Sequence, residues 1–279
     1  MHKRNIRIIP KLDIKNGLLI KGINLEGLRV LGDPNDFANY YYDNGADEIY
    51  YLDNVATLYG LPQSLKYISS AAKNIFVPFG VGGGIKSLKD IEKILKKGGD
   101  KVIINSSFHE DKKFLKSAPK TFGSSTIVAL VETVKIDNHY YVSKSNGRDL
   151  INKNPIEWAK ECENNGVGEI FLTCVNNEGL QKGFDLEMIM KITNAVKIPV
   201  IAHGGAGSIS DIYELIKKTN VSGVGISSFL HYDAIYKFKK KTKLGNNSYI
   251  QSIQNSKQQP INTLKKIKNF LKKKGINVR

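Results

Sequence analysis

Asp13 and Glu132 each follow a short β-rich run, and glycine clusters follow two others, Gly82-Gly83-Gly84 and Gly204-Gly205. One β-rich run beyond each cluster stands a polar pair, Asn105-Ser106 in one case and Ser227-Ser228 in the other. These residue types suit two kinds of chemistry. Glycines let backbone N–H groups approach an anion closely, and a helix that starts there adds the positive end of its dipole. Gly84 with Asn105 and Ser106 is therefore one candidate phosphate cradle, and Gly205 and Ala206 with Ser227 and Ser228 are a second. Two carboxylates beside one bound molecule can divide proton donation from proton acceptance when their surroundings separate their pKa values. Lys21 can fold over a phosphate. The five histidines, His203 beside the second cradle among them, show no metal-ligand spacing and have no Cys or carboxylate cluster next to them, so neither a metal nor a cofactor is expected.

Something must hold these residues in one place. Eight β-rich runs, at 6–12, 48–52, 76–79, 101–104, 127–131, 169–173, 200–202 and 223–226, alternate with stretches of helical periodicity such as 88–97 and 209–218. That is the pattern of βα units around a parallel sheet. Two segments also align without a gap at a constant separation of 121 residues: Gly83-Gly84 with Gly204-Gly205, Asp90-Ile91 with Asp211-Ile212, Lys96-Lys97 with Lys217-Lys218, and Ser106-Ser107-Phe108 with Ser227-Ser228-Phe229. The reading is an α/β fold, a single (β/α)₈ TIM barrel made of two half-barrels related by a pseudo-two-fold axis. Residues just past the strand ends then face the active site. Strands one and five lie opposite each other, so Asp13 and Glu132 flank a ligand stretched between the two cradles. Pro10 inside the first run predicts a bulge or a gap in pairing, because proline cannot donate to a ladder.

At 279 residues, 41% of them hydrophobic, the chain can bury one large core. It has no apolar run long enough to span a membrane and no leader-like segment, and Cys162 and Cys174 form no CxxC pair; a cytoplasmic protein is expected, with no membrane association. The net charge of +16 is concentrated at one end. From Lys237 to Arg279 there are 13 Lys or Arg and no acid, which leaves 29 basic against 26 acidic residues in the remainder. Without a nucleic-acid motif or interleaved aromatics the tail reads as solvated, and a nucleic-acid partner is not expected. The expected organisation is a barrel over 1–236, a basic polar insertion or loop over 237–260, and a C-terminal helix over 261–279 that completes the barrel.

The chain resembles, over almost its full length, the family of imidazole glycerol phosphate synthase cyclase subunits of histidine biosynthesis. The motifs are LDIKNGLLIKG from Leu12 to Gly22, Gly32-Asp33-Pro34, GADEIYYLD from Gly45 to Asp53, VGGGI from Val81 to Ile85, DKVIIN from Asp100 to Asn105, GEIFLT from Gly168 to Thr173, GGAG from Gly204 to Gly207, and the ending GINVR from Gly275 to Arg279. The resemblance implies a lyase that adds ammonia to a bisphosphorylated ribulosyl aminoimidazole carboxamide, releasing imidazole glycerol phosphate and an aminoimidazole carboxamide ribotide. It assigns catalysis to Asp13 and Glu132, and phosphate binding to Gly84, Asn105, Ser106, Glu178, Gly179, Gly205, Ala206, Ser227 and Ser228. It also implies a separate glutaminase subunit, forming a heterodimer, that delivers ammonia through a gate at Arg7, Glu48, Lys101 and Glu169. Glu132 stands where the family has Asp, Asn176-Asn177-Glu178 replaces an aspartate-rich turn, and Lys11 enters the first strand. Three other readings are a paralogue that amidates a nucleotide-linked sugar, a related ribosylformimino isomerase, and a catalytically lapsed barrel that only binds.

Overall fold

The computed structural model describes residues 5–53, 65–237, 245–255 and 264–279. Strand β1 (Arg7–Lys15) turns back through β2 (Leu18–Ile23) and β3 (Glu26–Gly32) into α1 (Pro34–Asp43). The chain continues through β4 (Ile49–Asp53), α2 (Leu65–Ala72), β5 (Phe79–Gly82), α3 (Leu88–Lys96), β6 (Lys101–Ile104), α4 (Ser106–Glu110) and α5 (Lys112–Phe122). The second half repeats this order: β7 (Ile127–Ile136), a hairpin with β8 (His139–Lys144) and β9 (Asp149–Ile151), α6 (Pro155–Asn164), β10 (Glu169–Cys174), α7 (Leu186–Ala195), β11 (Val200–His203), α8 (Ile209–Lys218) and β12 (Gly223–Ile226). Three helices follow, α9 (Ser228–Lys237), α10 (Asn247–Asn255) and α11 (Leu264–Lys273).

Eight of these strands, β1, β4, β5, β6, β7, β10, β11 and β12, pair in parallel and close on themselves into the expected (β/α)₈ barrel. Every second residue points inward. Ile9, Tyr50, Leu52, Ile103, Val128, Phe171 and Ile201 fill the interior as a packed plug, while the larger apolar cluster lies between strands and helices.

Several expectations are corrected. Strand β5 runs over Phe79–Gly82 rather than 76–79, and Phe76 is 77% exposed. β-propensity favours Phe and Val over glycine, but the barrel's inner space decides. A Cβ at Gly80 would stand 2.6 Å from Cδ1 of Tyr50, so only glycine leaves room for the tyrosine that fills the axis. Pro10 produces no bulge. It is the last residue of β1 in register with β12, opposite Ile226, and pairing with β4 begins at Lys11, so the missing N–H falls where one ladder hands over to the next. The two β-hairpins were not expected. Their turns repeat at the half-barrel separation, with left-handed backbone at Asn16-Gly17 and Asp137-Asn138, and again at Asn24-Leu25 and Ser145-Asn146. Such pairs of left-handed residues suit two-residue hairpin turns.

The repeated Asp90 and Asp211 cap helices rather than serve chemistry. Ser87 Oγ accepts from the Asp90 N–H at 3.2 Å and Ser208 Oγ from the Asp211 N–H at 3.1 Å, and Asp211 returns the bond to the Ser208 N–H. Helix α10 lies within the stretch read as insertion or loop. Ile250 is buried, and Tyr249 donates its hydroxyl to Tyr232 at 2.9 Å while the Arg29 guanidinium lies 4.4 Å from its ring centre. With so few apolar positions its periodicity does not show in sequence; the remainder of 237–260 beyond Lys237, apart from 245–255, lies outside the described residues. Helix α11 ends at Lys273, Gly275 follows with φ at +76°, and the GINVR ending bridges back to the start of β1, the Ile6 N–H donating to the Asn277 carbonyl at 2.9 Å.

Gly80→Ala tests the spatial argument for β5. Overpacking against Tyr50 is expected to cost about 1–3 kcal/mol of stability, read as a lower denaturant midpoint at unchanged slope; a midpoint equal to wild type would show that the tyrosine moves aside freely.

Candidate active site

The register of the sheet puts the two candidate acids in equivalent places. Asp13 on β1 is opposite Leu52, Glu132 on β7 is opposite Thr173, and Leu52 and Thr173 are themselves 121 residues apart. Both carboxylates are almost fully buried, at 2% and 4% exposure. Their partners differ. Asp13 Oδ1 is ion-paired with the Lys11 ammonium, which is also buried. Glu132 Oε2 accepts the Gly147 N–H at 3.0 Å, from the turn between β8 and β9. Burial pushes the Glu132 carboxyl up to about 7, against the Gly147 hydrogen bond and the Lys11 charge, and the Asp13 charge pushes in the same direction as burial. Glu132 is therefore part-protonated near neutrality, as a proton donor at that pH must be.

The first cradle is an open cleft of about 460 Å³, lined by Gly83, Gly84, Asn105, Ser106 and Glu132 and by Ser145 and Asn146 of the hairpin turn. Asn105 and Ser106, at the start of the five-residue α4, line the cleft together with Glu132. Ser106 Oγ accepts the Ser145 N–H at 3.3 Å, tying the turn to the cradle. The second cradle is built around Gly205. Gly205 holds φ at +117°, and a Cβ there would lie 2.0 Å from the Gly183 carbonyl oxygen, so no other residue fits without moving that turn. Ala206, Ser227 and Ser228 are buried beside it, and Ser227 Oγ donates to the Lys11 carbonyl at 2.9 Å.

Lys21 and Glu178 meet next to this cradle. Lys21 Nζ donates to both Glu178 oxygens, at 2.7 and 2.9 Å, joining β2 to the turn after β10, and Gly179 lets that turn lie against Gly22. Lys21 thus bears a matched rather than a solvated charge. His203 Nδ1 stands 3.2 Å from Thr173 Oγ1 and Nε2 3.2 Å from Ser227 Oγ. Burial, with Lys11 and Lys21 nearby, holds its imidazole well below the usual histidine range and therefore neutral. Asn176 and Asn177, in the turn after β10, serve as pins: Asn176 exchanges hydrogen bonds with the Lys135 backbone at 2.7 and 3.1 Å, and Asn177 donates to the Gly183 carbonyl at 2.9 Å. No group of three or more potential metal ligands occurs among the described residues.

At the opposite end of the barrel the four candidate gate residues form a closed ring of alternating charge. Arg7 donates to Glu48 at 2.7 Å and to Glu169 at 2.5 Å, and Lys101 donates to the same two acids at 2.9 and 2.7 Å. Burial opposes ionisation of Glu48, but the Arg7 and Lys101 cations outweigh it and leave its carboxyl below the usual carboxylate range. Tyr50 caps the ring from inside, its hydroxyl 2.9 Å from Glu48 and 3.1 Å from Glu169. Sequence reasoning missed Tyr50, Lys11 as a partner of Asp13, and the Ser145–Gly147 turn. Only the turn left a signal, the Asn-Gly pair after a β-rich run.

A doubled (β/α)₈ barrel with buried acids beside two candidate anion cradles defines the class, and comparison agrees with the fold: residues 7–236 match the family described as histidine biosynthesis protein. The chain is 42% identical over 208 residues to the imidazole glycerol phosphate synthase subunit HisF of Legionella pneumophila, covering 74% of this chain and 98% of that protein. It is 41% identical over 228 residues to HisF of Lactococcus lactis strain IL1403, covering 81% and 88%, and 34% identical over 273 residues to HisF of Natranaerobius thermophilus, covering 98% of both. The chain belongs to the HisF family of imidazole glycerol phosphate synthase subunits.

The raised Glu132 carboxyl predicts a pH dependence of stability. The folded chain keeps this proton up to about pH 7, whereas the unfolded chain loses it near the ordinary 4.5. The group's stabilising contribution is therefore complete below about pH 4.5 and is lost as the pH rises through about 7. Glu132→Gln should shrink the loss of unfolding free energy between those two pH values; an equal loss in both proteins would mean that Glu132 titrates normally.

Proposed function

We propose that this chain is the cyclase subunit of an imidazole glycerol phosphate synthase, adding ammonia to a bisphosphorylated ribulosyl aminoimidazole carboxamide and releasing imidazole glycerol phosphate and aminoimidazole carboxamide ribotide. The observation that carries the reading is the pair of register-equivalent buried acids, each in a half-barrel with its own Gly/hydroxyl cradle. A ligand with a phosphate at either end is held by Gly84, Asn105 and Ser106 on one side. On the other it meets Gly179, Gly205, Ala206, Ser227 and Ser228. Its middle then lies between Asp13 and Glu132. The Lys21–Glu178 pair supplies a cation at the second cradle, and Glu178 keeps it in place.

Asp13 acts as base toward the incoming nitrogen. Glu132, which retains a proton near neutral pH, serves as acid when the ribotide's nitrogen departs. A buried acid and base held on two strands are pre-positioned for both steps. Ammonia is supplied by a glutaminase subunit docked at the end of the barrel that carries the Arg7, Glu48, Lys101 and Glu169 ring, a heterodimer in keeping with the subunit names of the relatives. The closed ring is an uncommon use of charge, since buried ions cost free energy unless paired, and a gate that admits ammonia gives it a purpose.

The test is to supply the purified chain with ammonium chloride and the ribulosyl substrate and measure aminoimidazole carboxamide ribotide. Asp13→Asn should lower kcat by roughly 100-fold or more while substrate binding by calorimetry is retained. Absence of product from the wild-type chain at saturating ammonium would overturn the reading. With a glutaminase partner, Lys101→Met should depress glutamine-dependent turnover more than ammonium-dependent turnover, because only the former passes the ring; equal depression of both would remove the gate.

A further inference from the structure

The inward face of β1 carries Lys11 directly below Asp13, and the Lys11 ammonium contacts the Asp13 carboxylate with both side chains buried. The repeat makes this lysine informative. In the two halves Lys11 is opposite Tyr50 and Leu130 is opposite Phe171, by the same register that equates Asp13 with Glu132. The second half thus holds a leucine where the first holds a cation. A buried ammonium is costly even when paired, and an apolar residue is accommodated at the equivalent place. Packing alone therefore does not call for a lysine here.

The charged and titratable groups around Lys11 are those of the site itself. Asp13 lies above it on β1 and Glu132 faces it from β7; His203 on β11 and His231 on α9 also feel its charge. Lys21 on β2 and Glu178 after β10 are matched to each other, and Asp53 ends β4 along the first cradle. A lysine has three N–H donors, and among the described residues Lys11 forms its ion pair with Asp13.

We propose that Lys11 is a catalytic residue of the ammonia-addition step, giving a proton to the keto oxygen of the ribulosyl group while Asp13 takes one from the attacking nitrogen. This rests on the cyclase reading. The nitrogen lone pair forms the C–N bond as the carbonyl π pair moves to oxygen, and that oxygen receives a proton from the Lys11 ammonium. The nitrogen, cationic once bonded, passes a proton to the Asp13 carboxylate. The proton then crosses the Lys11–Asp13 contact back to the lysine amine. The product is a carbinolamine, the pair ends as it began, and nothing beyond ammonia and ketone is consumed.

Two variants of the full chain separate the relay from electrostatics or structure. Lys11→Met removes both charge and proton, so kcat with ammonium should fall on the order of 100-fold with KM nearly unchanged. Because the Lys11 charge favours the ionised form of Glu132, the limb of the kcat–pH profile governed by Glu132 should also move to higher pH. Lys11→Arg keeps the charge but not the transferable proton, because guanidinium does not deprotonate in proteins. It should leave that limb in place and still lose most of kcat. Turnover of either variant within about 3-fold of wild type overturns the relay, as does an Arg variant that restores kcat. The cyclase reading still stands if wild type forms product; a wild-type chain without product overturns both.

Discussion

Period-two alternation along a single strand organises this molecule. On β1 it sends Arg7, Ile9, Lys11 and Asp13 to the barrel axis in that order, so one run of sequence contributes to the charged ring, the apolar plug and the acid end. A one-residue slip of β1 would turn all four outward and bring Ile8, Pro10 and Leu12 inward. The register with β12 and β4 prevents that, and the GINVR ending holds the strand's start by pairing with Ile6. Each buried charge is tolerable only because its partner arrives in the same layer: Glu48 and Glu169 for Arg7, and Asp13 for Lys11.

Duplication supplies the rest of the geometry, and departures from it supply the chemistry. Equivalent registers give two acids, two glycine turns and two hairpins. The hairpins then play different parts. The first brings Lys21 over the turn after β10. The second lays its Ser145–Gly147 turn on Glu132 and Ser106. The contacts of the two acids are unlike, Lys11 beside Asp13 and the Gly147 amide on Glu132, and desolvation lifts the Glu132 carboxyl.

The interior is closed in layers. Above the ring and its Tyr50 cap lie Ile9, Ile103, Val128, Phe171 and Ile201, packed without polar partners, and above them His203 is kept neutral by burial and the two nearby lysines. Small residues make this packing possible. Gly80 leaves the axis to Tyr50, and Gly225 lies against the Phe171 ring. A barrel of this strand number has an interior just wide enough for side chains to fill, so inner residue size is coupled around the whole circumference.

By itself the sequence determined the eight parallel βα units and the half-barrel repeat, and it singled out the four ring residues through family resemblance; the two acids, expected just past the ends of their strands, lie within β1 and β7. Those properties are local or periodic, since alternation, turn glycines and a constant separation are all written along one dimension. Tertiary structure alone decided where β5 begins, that Pro10 costs no pairing, that Lys11 and Asp13 form an ion pair, and that Lys21 is matched by Glu178. It also decided that burial raises the Glu132 carboxyl. These depend on which side chains meet across the barrel and how much water each loses, and distances of 41 to 162 residues along the chain, as from Arg7 to its two acids, carry no local signal.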